Sequence, residues 1–370
     1  MKLTITTNWA DDFIDKVAGF KEVEWIKGRL YNDEVGGQLP PSIFSKHPTR
    51  KAVEKAIKKI HSTGKKFSYA LDGHCLENKE YTYEGQRKIL EDIKWIDGSG
   101  ADSVTLAIPH LVEIFKGQFP RLKIDFGTSR IVGEIQRIKY FNRLGVDSIA
   151  VRSDFNRNFA LLRLFKKAVS CQLKLTLNSL CLYYCNFAND HENMLSHTSN
   201  FTTKSKFSRY YNHVCNLERL NSPEEIIKAP FIRPEDLHIY ESCGYEDFIL
   251  EPNSSITDDA VKMIRAYVNR EYNGNLLEIM SAMGEKPFQD NKGRMARAGL
   301  ILNNSKLDGM LKYFTHGDGN SCFSSICEVE CSHCRKLVGK AISCENKKDF
   351  KSLVNSVKKS IDNIEEGIFV

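Results

Sequence analysis

A chain of 370 residues with 41% hydrophobic and 27% charged positions has the composition of an ordinary globular protein and can bury a large core. Its net charge of +6 permits an acidic partner without demanding one, and no block of like charge resembles a nucleic-acid tail. The opening Met1-Lys-Leu-Thr-Ile-Thr-Thr has no secretory apolar core, and no apolar run approaches the ~18 residues of a bilayer span, so a cytoplasmic protein with no membrane segment is expected.

In chain order, eight short strands are predicted near Leu3–Thr7, Val23–Ile26, Phe67–Leu71, Ser103–Ala107, Leu122–Phe126, Ser148–Val151, Leu173–Leu177 and Phe248–Leu250. Apolar residues at three- and four-residue intervals predict helices over Thr49–Ser62, Tyr83–Asp97, Arg130–Leu144 and Asn156–Ala168. Three segments repeat one pattern: Gly100-Ala-Asp-Ser-Val-Thr-Leu, Gly145-Val-Asp-Ser-Ile-Ala-Val and Gly244-Tyr-Glu-Asp-Phe-Ile-Leu. Each reads as a glycine ending a helix, then an acid, then a buried strand. Eight such units predict an α/β fold, a (β/α)8 TIM-like barrel over residues 1–271. A doubly wound open sheet is the alternative.

The connection between the seventh and eighth strands, 178–233, is too long for a simple loop and is expected to be functional. It carries Cys181-Leu-Tyr-Tyr-Cys185, then His191 and Cys215. After a last barrel helix near Asp258–Arg270 the composition shifts, so residues 272–370 read as a Cys-rich C-terminal extension. That extension holds Cys322-x4-Cys327-x3-Cys331-x2-Cys334 and a terminal amphipathic stretch, Lys347–Ile364.

Eleven cysteines, seven of them in these two groups, point to a soft metal rather than to a disulfide framework. Cys181, Cys185 and Cys215, with His191 as an optional fourth ligand, suit an iron–sulfur cluster or zinc at the barrel mouth. Cys322, Cys327, Cys331 and Cys334 suit either a zinc ion or a second Fe–S cluster, with His333 able to replace one thiolate or one of these cysteines to complete the first site. Further candidates at strand ends are Trp9, Arg29, Asp72, His74, Cys75, Glu80, Ser129, Arg152, Asp154, Asn178 and Glu251. Arg29 and Arg152 can clamp a carboxylate or phosphate, and His74 and His191 can transfer protons. No Gly-x-Ser-x-Gly elbow, Walker loop or His-Glu-x-x-His occurs.

Asn178-Ser-Leu-Cys181-Leu-Tyr-Tyr-Cys185 with His191, Ile232-Arg-Pro-Glu-Asp-Leu-His-Ile-Tyr240, Lys27-Gly-Arg-Leu and Gly36-Gly-Gln-Leu-Pro together resemble the peptidase-U-thirty-two, or collagenase-like protease, family over roughly residues 1–270. The resemblance implies a barrel with a [4Fe–4S] cluster and oxygen-independent hydroxylation of a small biosynthetic intermediate, a peptide or an RNA base. His191, Arg29, Arg152 and Asn178 are then the expected catalytic groups. A peptidase is the alternative, as is a noncatalytic metal-bound subunit supporting a protein partner. After the eighth strand this chain reads Leu250-Glu-Pro-Asn-Ser-Ser where RNA-modifying members carry Lys-x-Glu-Gly-Arg, so the resemblance does not carry over their substrate.

Overall fold

The computed structural model describes residues 1–39, 43–127, 134–199, 209–281, 299–315, 327 and 329–368. Eight parallel strands close into a barrel in the order β1 to β8: Lys2–Thr6, Val23–Gly28, Lys66–Leu71, Ser103–Leu106, Lys123–Phe126, Ser148–Val151, Gln172–Thr176 and Asp247–Leu250. Closure comes from β1 pairing with β8, Leu3 opposite Phe248 and Ile5 opposite Leu250. The predicted (β/α)8 architecture is therefore the observed one, and the open sheet is set aside.

Helices α1 to α6, Phe13–Ala18, Arg50–Ser62, Tyr83–Gly98, Pro109–Gln118, Ile135–Arg143 and Phe159–Ala168, each follow one strand. Their N-termini are set locally. Thr49, Thr82 and Asn158 cap α2, α3 and α6 by accepting from the N–H of Ala52, Gly85 and Leu161. Val53, Ile57 and Ile60 form the buried stripe of α2, the three- and four-residue spacing on which its prediction rested.

The repeated Gly-x-acid pattern has a structural explanation. Gly100, Gly145 and Gly244 lie at φ of 92°, 80° and 87°, a left-handed conformation that favours glycine. The acid then ties its strand to the neighbour: Asp102 Oδ2 accepts the N–H of Phe67 at 2.8 Å, and Asp147 Oδ2 that of Ile124 at 2.9 Å. In the third copy the Glu246 carbonyl accepts the N–H of Lys2 at 2.7 Å, at the seam of the barrel.

Polar side chains also fill the barrel bottom. On β7, Lys174 and Thr176 share one face by the two-residue period, and Leu173 and Leu175 share the other. Lys174, 4% exposed, pairs with Asp125 at 3.1 Å, and Ser148 donates to the same carboxylate.

Between β7 and β8 run four more helices, α7 (Ala188–Thr198), α8 (Tyr210–Asn221), α9 (Glu224–Lys228) and α10 (Leu237–Ser242); α11 (Thr257–Asn269) follows β8. The described part of the extension contains an antiparallel pair, β9 (Leu300–Leu302) and β10 (Ile342–Cys344), and helices α12 (Lys312–Thr315), α13 (His333–Ala341) and α14 (Lys347–Ile368). It packs on the long insertion, α13 against α9 and α14 against α8. No described helix is long and apolar enough to cross a membrane.

Arg233, 2% exposed, fastens the extension to the barrel. Its guanidinium pairs with Asp236 at 2.9 Å and donates to the Asn304 carbonyl at 2.7 Å and to Asp308 at 3.0 Å. Asp308 is mostly solvated, so the buried Asp236 pair and the backbone contact dominate. Arg233→Ala is expected to destabilise the chain by about 3 kcal/mol, the cost of stranding a buried carboxylate. Thermal unfolding together with limited proteolysis of 299–315 checks this.

Candidate active site at the barrel mouth

The strand ends enclose a cavity of about 120 Å³. Thr6, Lys27, Asp72 and Thr176 reach it from β1, β2, the end of β3 and β7, and Glu251 from just beyond β8. Arg152 and Asp154 enter after β6, while Cys181, His191 and Glu192 come from the long insertion. Ser281 of the extension completes the wall, and its N–H donates to the Asn178 carbonyl at 2.7 Å. The extension therefore contributes to the mouth as well as to the flank.

Of the predicted candidates, Asp72, Arg152, Asp154, Cys181, His191 and Glu251 line this cavity. Arg152 is held in place, its Nε donating to Asp154 at 2.6 Å and its guanidinium lying 5.5 Å from the Phe155 ring and 5.2 Å from that of Tyr184. Tyr184, at φ 50°, sits in the left-handed region on the Cys181–Cys185 turn. A non-glycine residue held there is strained, and such strain concentrates at working loops.

Arg29 differs from expectation. It is fully buried, paired with Asp33 at 3.1 Å, and stands outside the cavity wall. Its pairing braces the loop after β2. Asn178 is likewise a brace: its amide donates to the Glu251 carbonyl at 2.9 Å, and its oxygen accepts the Glu251 N–H at 2.9 Å. This double contact joins the ends of β7 and β8 and positions Glu251, so Asn178 is a positioning residue. Trp9 is buried and donates from its indole to the Arg29 carbonyl, while His74 sits behind the wall with Nδ1 3.0 Å from Glu192. Cys75 and Glu80 do not line the cavity. Ser129 lies outside the described residues.

Lys27 is the group that sequence reasoning missed. Its face of β2 is shared with Trp25, and alternation along that strand was the available signal. Lys27 Nζ lies 3.5 Å from Asp72 Oδ2, and Asp72 in turn accepts the Gln38 N–H at 3.0 Å. Gln38 donates onward to Ser196 and to the Glu192 carbonyl, coupling the β2 loop to α7. The mouth thus presents two cations, Lys27 and Arg152, among carboxylates. Burial pushes the Glu251 carboxyl above its ordinary value, with the nearby Lys27 opposing the shift. A carboxyl held this way keeps its proton to higher pH than a free one, as a proton-donating group requires.

Of the first cysteine group, Cys181 faces the cavity and Cys185 lies four residues on. Cys215 is buried on α8, its thiol donating to the Asn212 carbonyl at 3.5 Å. Of the second group, Cys322 lies outside the described residues. Cys327, Cys331 and Cys334 line a separate cavity together with Tyr183, so the Cys181–Cys185 turn touches both places. Among the described residues no three His, Cys, Asp or Glu side chains are already gathered to hold a metal ion. The thiols suit an iron–sulfur cluster by type, but the ligand set for one is not assembled. Burial pushes the Cys171 thiol up to about 11, and Cys243 is buried, so both pack as small apolar groups.

Because folding raises the Glu251 pKa, the folded state holds more protons than the unfolded state between the two pKa values. Stability must then fall as pH rises through that window. Glu251→Gln, nearly isosteric and unable to ionise, is expected to match the native chain below the ordinary carboxylate pKa and to exceed it above. Melting temperatures of both proteins across an acid-to-neutral series measure this difference.

No family profile matches the chain. The sequence is 29% identical over 277 residues to a Methanocaldococcus jannaschii protein named uncharacterized protease MJ1657, covering 75% of this chain and 77% of that one. The fold is similar to the solved U32 peptidase Mk0906, with a TM-score of 0.51 and 18% identity over 68% of this chain and 92% of the other. In sequence and in barrel architecture, the chain resembles the U32 peptidase family.

Proposed function

We propose that the chain is a barrel enzyme that modifies a small acidic substrate, or one protruding unit of a peptide or RNA, at the mouth cavity. The observation that carries this reading is the convergence of Lys27, Arg152 and Glu251 on one enclosed space of about 120 Å³. That space is too small for a folded polymer to enter. Lys27 and Arg152 bind and orient the acidic group, Glu251 supplies a proton, and His191 transfers another. Asp154 fixes the Arg152 plane.

For the chemistry, we propose an oxygen-independent modification, hydroxylation foremost, in which a [4Fe–4S] cluster held by Cys181 with Cys185 and Cys215 would supply electron transfer beside the cavity. The donor type supports this, and the residue roles above do not depend on it.

A second reading is peptide cleavage. The names of the two similar proteins favour it, as does the presence of Cys181 and His191 on one cavity wall. A cysteine and a histidine lining one cavity are the residue types of a nucleophile–base pair for acyl transfer.

One experiment separates the two readings. Anaerobically purified protein is expected to contain iron and acid-labile sulfide, both lost in Cys181→Ser, with no cleavage of unstructured peptides. Peptide cleavage abolished by Cys181→Ser, without iron or sulfide, would replace the first reading by the second. For the cavity, Lys27→Ala and Arg152→Ala are each expected to weaken binding of a carboxylate ligand by about 10- to 100-fold, the range of a charge-assisted hydrogen bond. Calorimetry with a panel of small mono- and dicarboxylates reads this, and equal binding by native and variant proteins would contradict it.

A further inference from the structure

A second, smaller cavity of about 20 Å³ lies where the C-terminal extension meets the insertion. Cys327, Cys331, His333 and Cys334 all line it. These are four soft or borderline ligands within eight residues, at the start of α13. The space is small, on the scale of one water-sized body, which suits a single ion.

The imidazole is set for ligation. His333 stacks on Tyr313 with ring centroids 4.2 Å apart and planes 10° apart, and it meets Phe314 edge-on at 5.5 Å. Its ring also hydrogen-bonds the Met310 carbonyl. Nε2 is buried and has no hydrogen-bond partner, so the bond to Met310 uses Nδ1. A ring whose Nδ1–H is anchored on a carbonyl presents a bare Nε2 lone pair, which is how metal-ligating histidines are held. Tyr313 supplies a further outer contact, its hydroxyl lying 3.4 Å from Cys331 Sγ. The remaining wall carries Arg157, Lys228 and Arg335, with Lys228 paired to Glu225 and Arg335 lying 3.6 Å from Glu224.

We propose that the extension binds one divalent ion of the zinc type through Cys327, Cys331, His333 Nε2 and Cys334. Three thiolates and one imidazole form a closed tetrahedral set, and such a site is structural. The ion's role is to draw the Cys327–Cys334 turn together, seating α13 on α9 and the extension on the insertion. Ligands of this kind are not gathered before the metal arrives, because binding and local folding are one event.

The test uses the full chain carrying Cys181→Ser, so that thiols at the barrel mouth do not contribute, alongside the native protein. After metal removal, Co²⁺ is titrated in. One equivalent is expected to give the thiolate-to-cobalt charge-transfer and tetrahedral d–d bands. Zn²⁺ should then displace it and protect three thiols from alkylation. His333→Ala should weaken the bands and shift the d–d envelope, and Cys334→Ser should lower the charge-transfer intensity further. Near-UV circular dichroism of both variants confirms that the barrel persists. The proposal is overturned if the Cys181→Ser protein gives no thiolate–cobalt bands, or if both variants leave them unchanged. It is also overturned if acid-labile sulfide disappears with Cys334→Ser, or if Cys331 and Cys334 are isolated as a disulfide that excludes the metal. Loss of iron at the barrel mouth would leave these readouts intact, so the two sites fail separately.

Discussion

Pairing of β1 with β8 is the contact on which the rest of the molecule depends. It joins residues almost 250 positions apart, Leu3 with Phe248 and Ile5 with Leu250, and turns an edge-bearing sheet into a closed ring. Closure forces every strand to end at the same rim. Thr6, Lys27, Asp72, Thr176 and Glu251 meet there for that reason alone, although nothing in their local sequences relates them. In this chain the ring also encloses polar side chains. Lys174 and Asp125 neutralise each other at its bottom, leaving the chemistry of the mouth to the loops above.

Those loops are held by buried polar contacts more than by apolar packing. Asn178 joins β7 to β8 through both ends of its amide, and Ser281 closes onto the Asn178 carbonyl. A buried amide left half satisfied would cost more than it contributes, so the arrangement has one solution. Asp33 confines Arg29 in a similar way, and Asp72 orders the Gln38 loop. The mouth is therefore built in advance of any ligand, and the groups that reach the cavity do so from anchored backbone.

The extension links two sites. Arg233 fixes its start near α12, α13 rests on α9, and the Cys181–Cys185 turn contributes Cys181 to the mouth and Tyr183 to the smaller cavity. Tyr183 in the wall of the smaller cavity stands two residues from Cys181 at the mouth. This geometry gives the C-terminal hundred residues a reason to be attached to the barrel.

Local sequence determined the elements. Strand positions were legible because β-branched or aromatic runs and glycine helix ends act over a few residues, and Gly100, Gly145 and Gly244 marked the repeat directly. Cys181, His191, Arg152 and Glu251 were legible as candidates because each stands just after or beyond a strand end, where a barrel puts its working groups. Tertiary structure alone decided which of the two basic residues after β2 and within it, Arg29 or Lys27, meets the cavity. Burial against Asp33 and inward alternation are properties of the closed ring, not of the residue type. It alone separated Asn178 as a brace from Glu251 as an acid, since that distinction rests on hydrogen bonds across 73 positions of chain. And it alone brought His333 to its neighbouring thiols with Nε2 bare, because the partner that fixes its tautomer, the Met310 carbonyl, arrives through packing of a segment that no spacing rule connects to it.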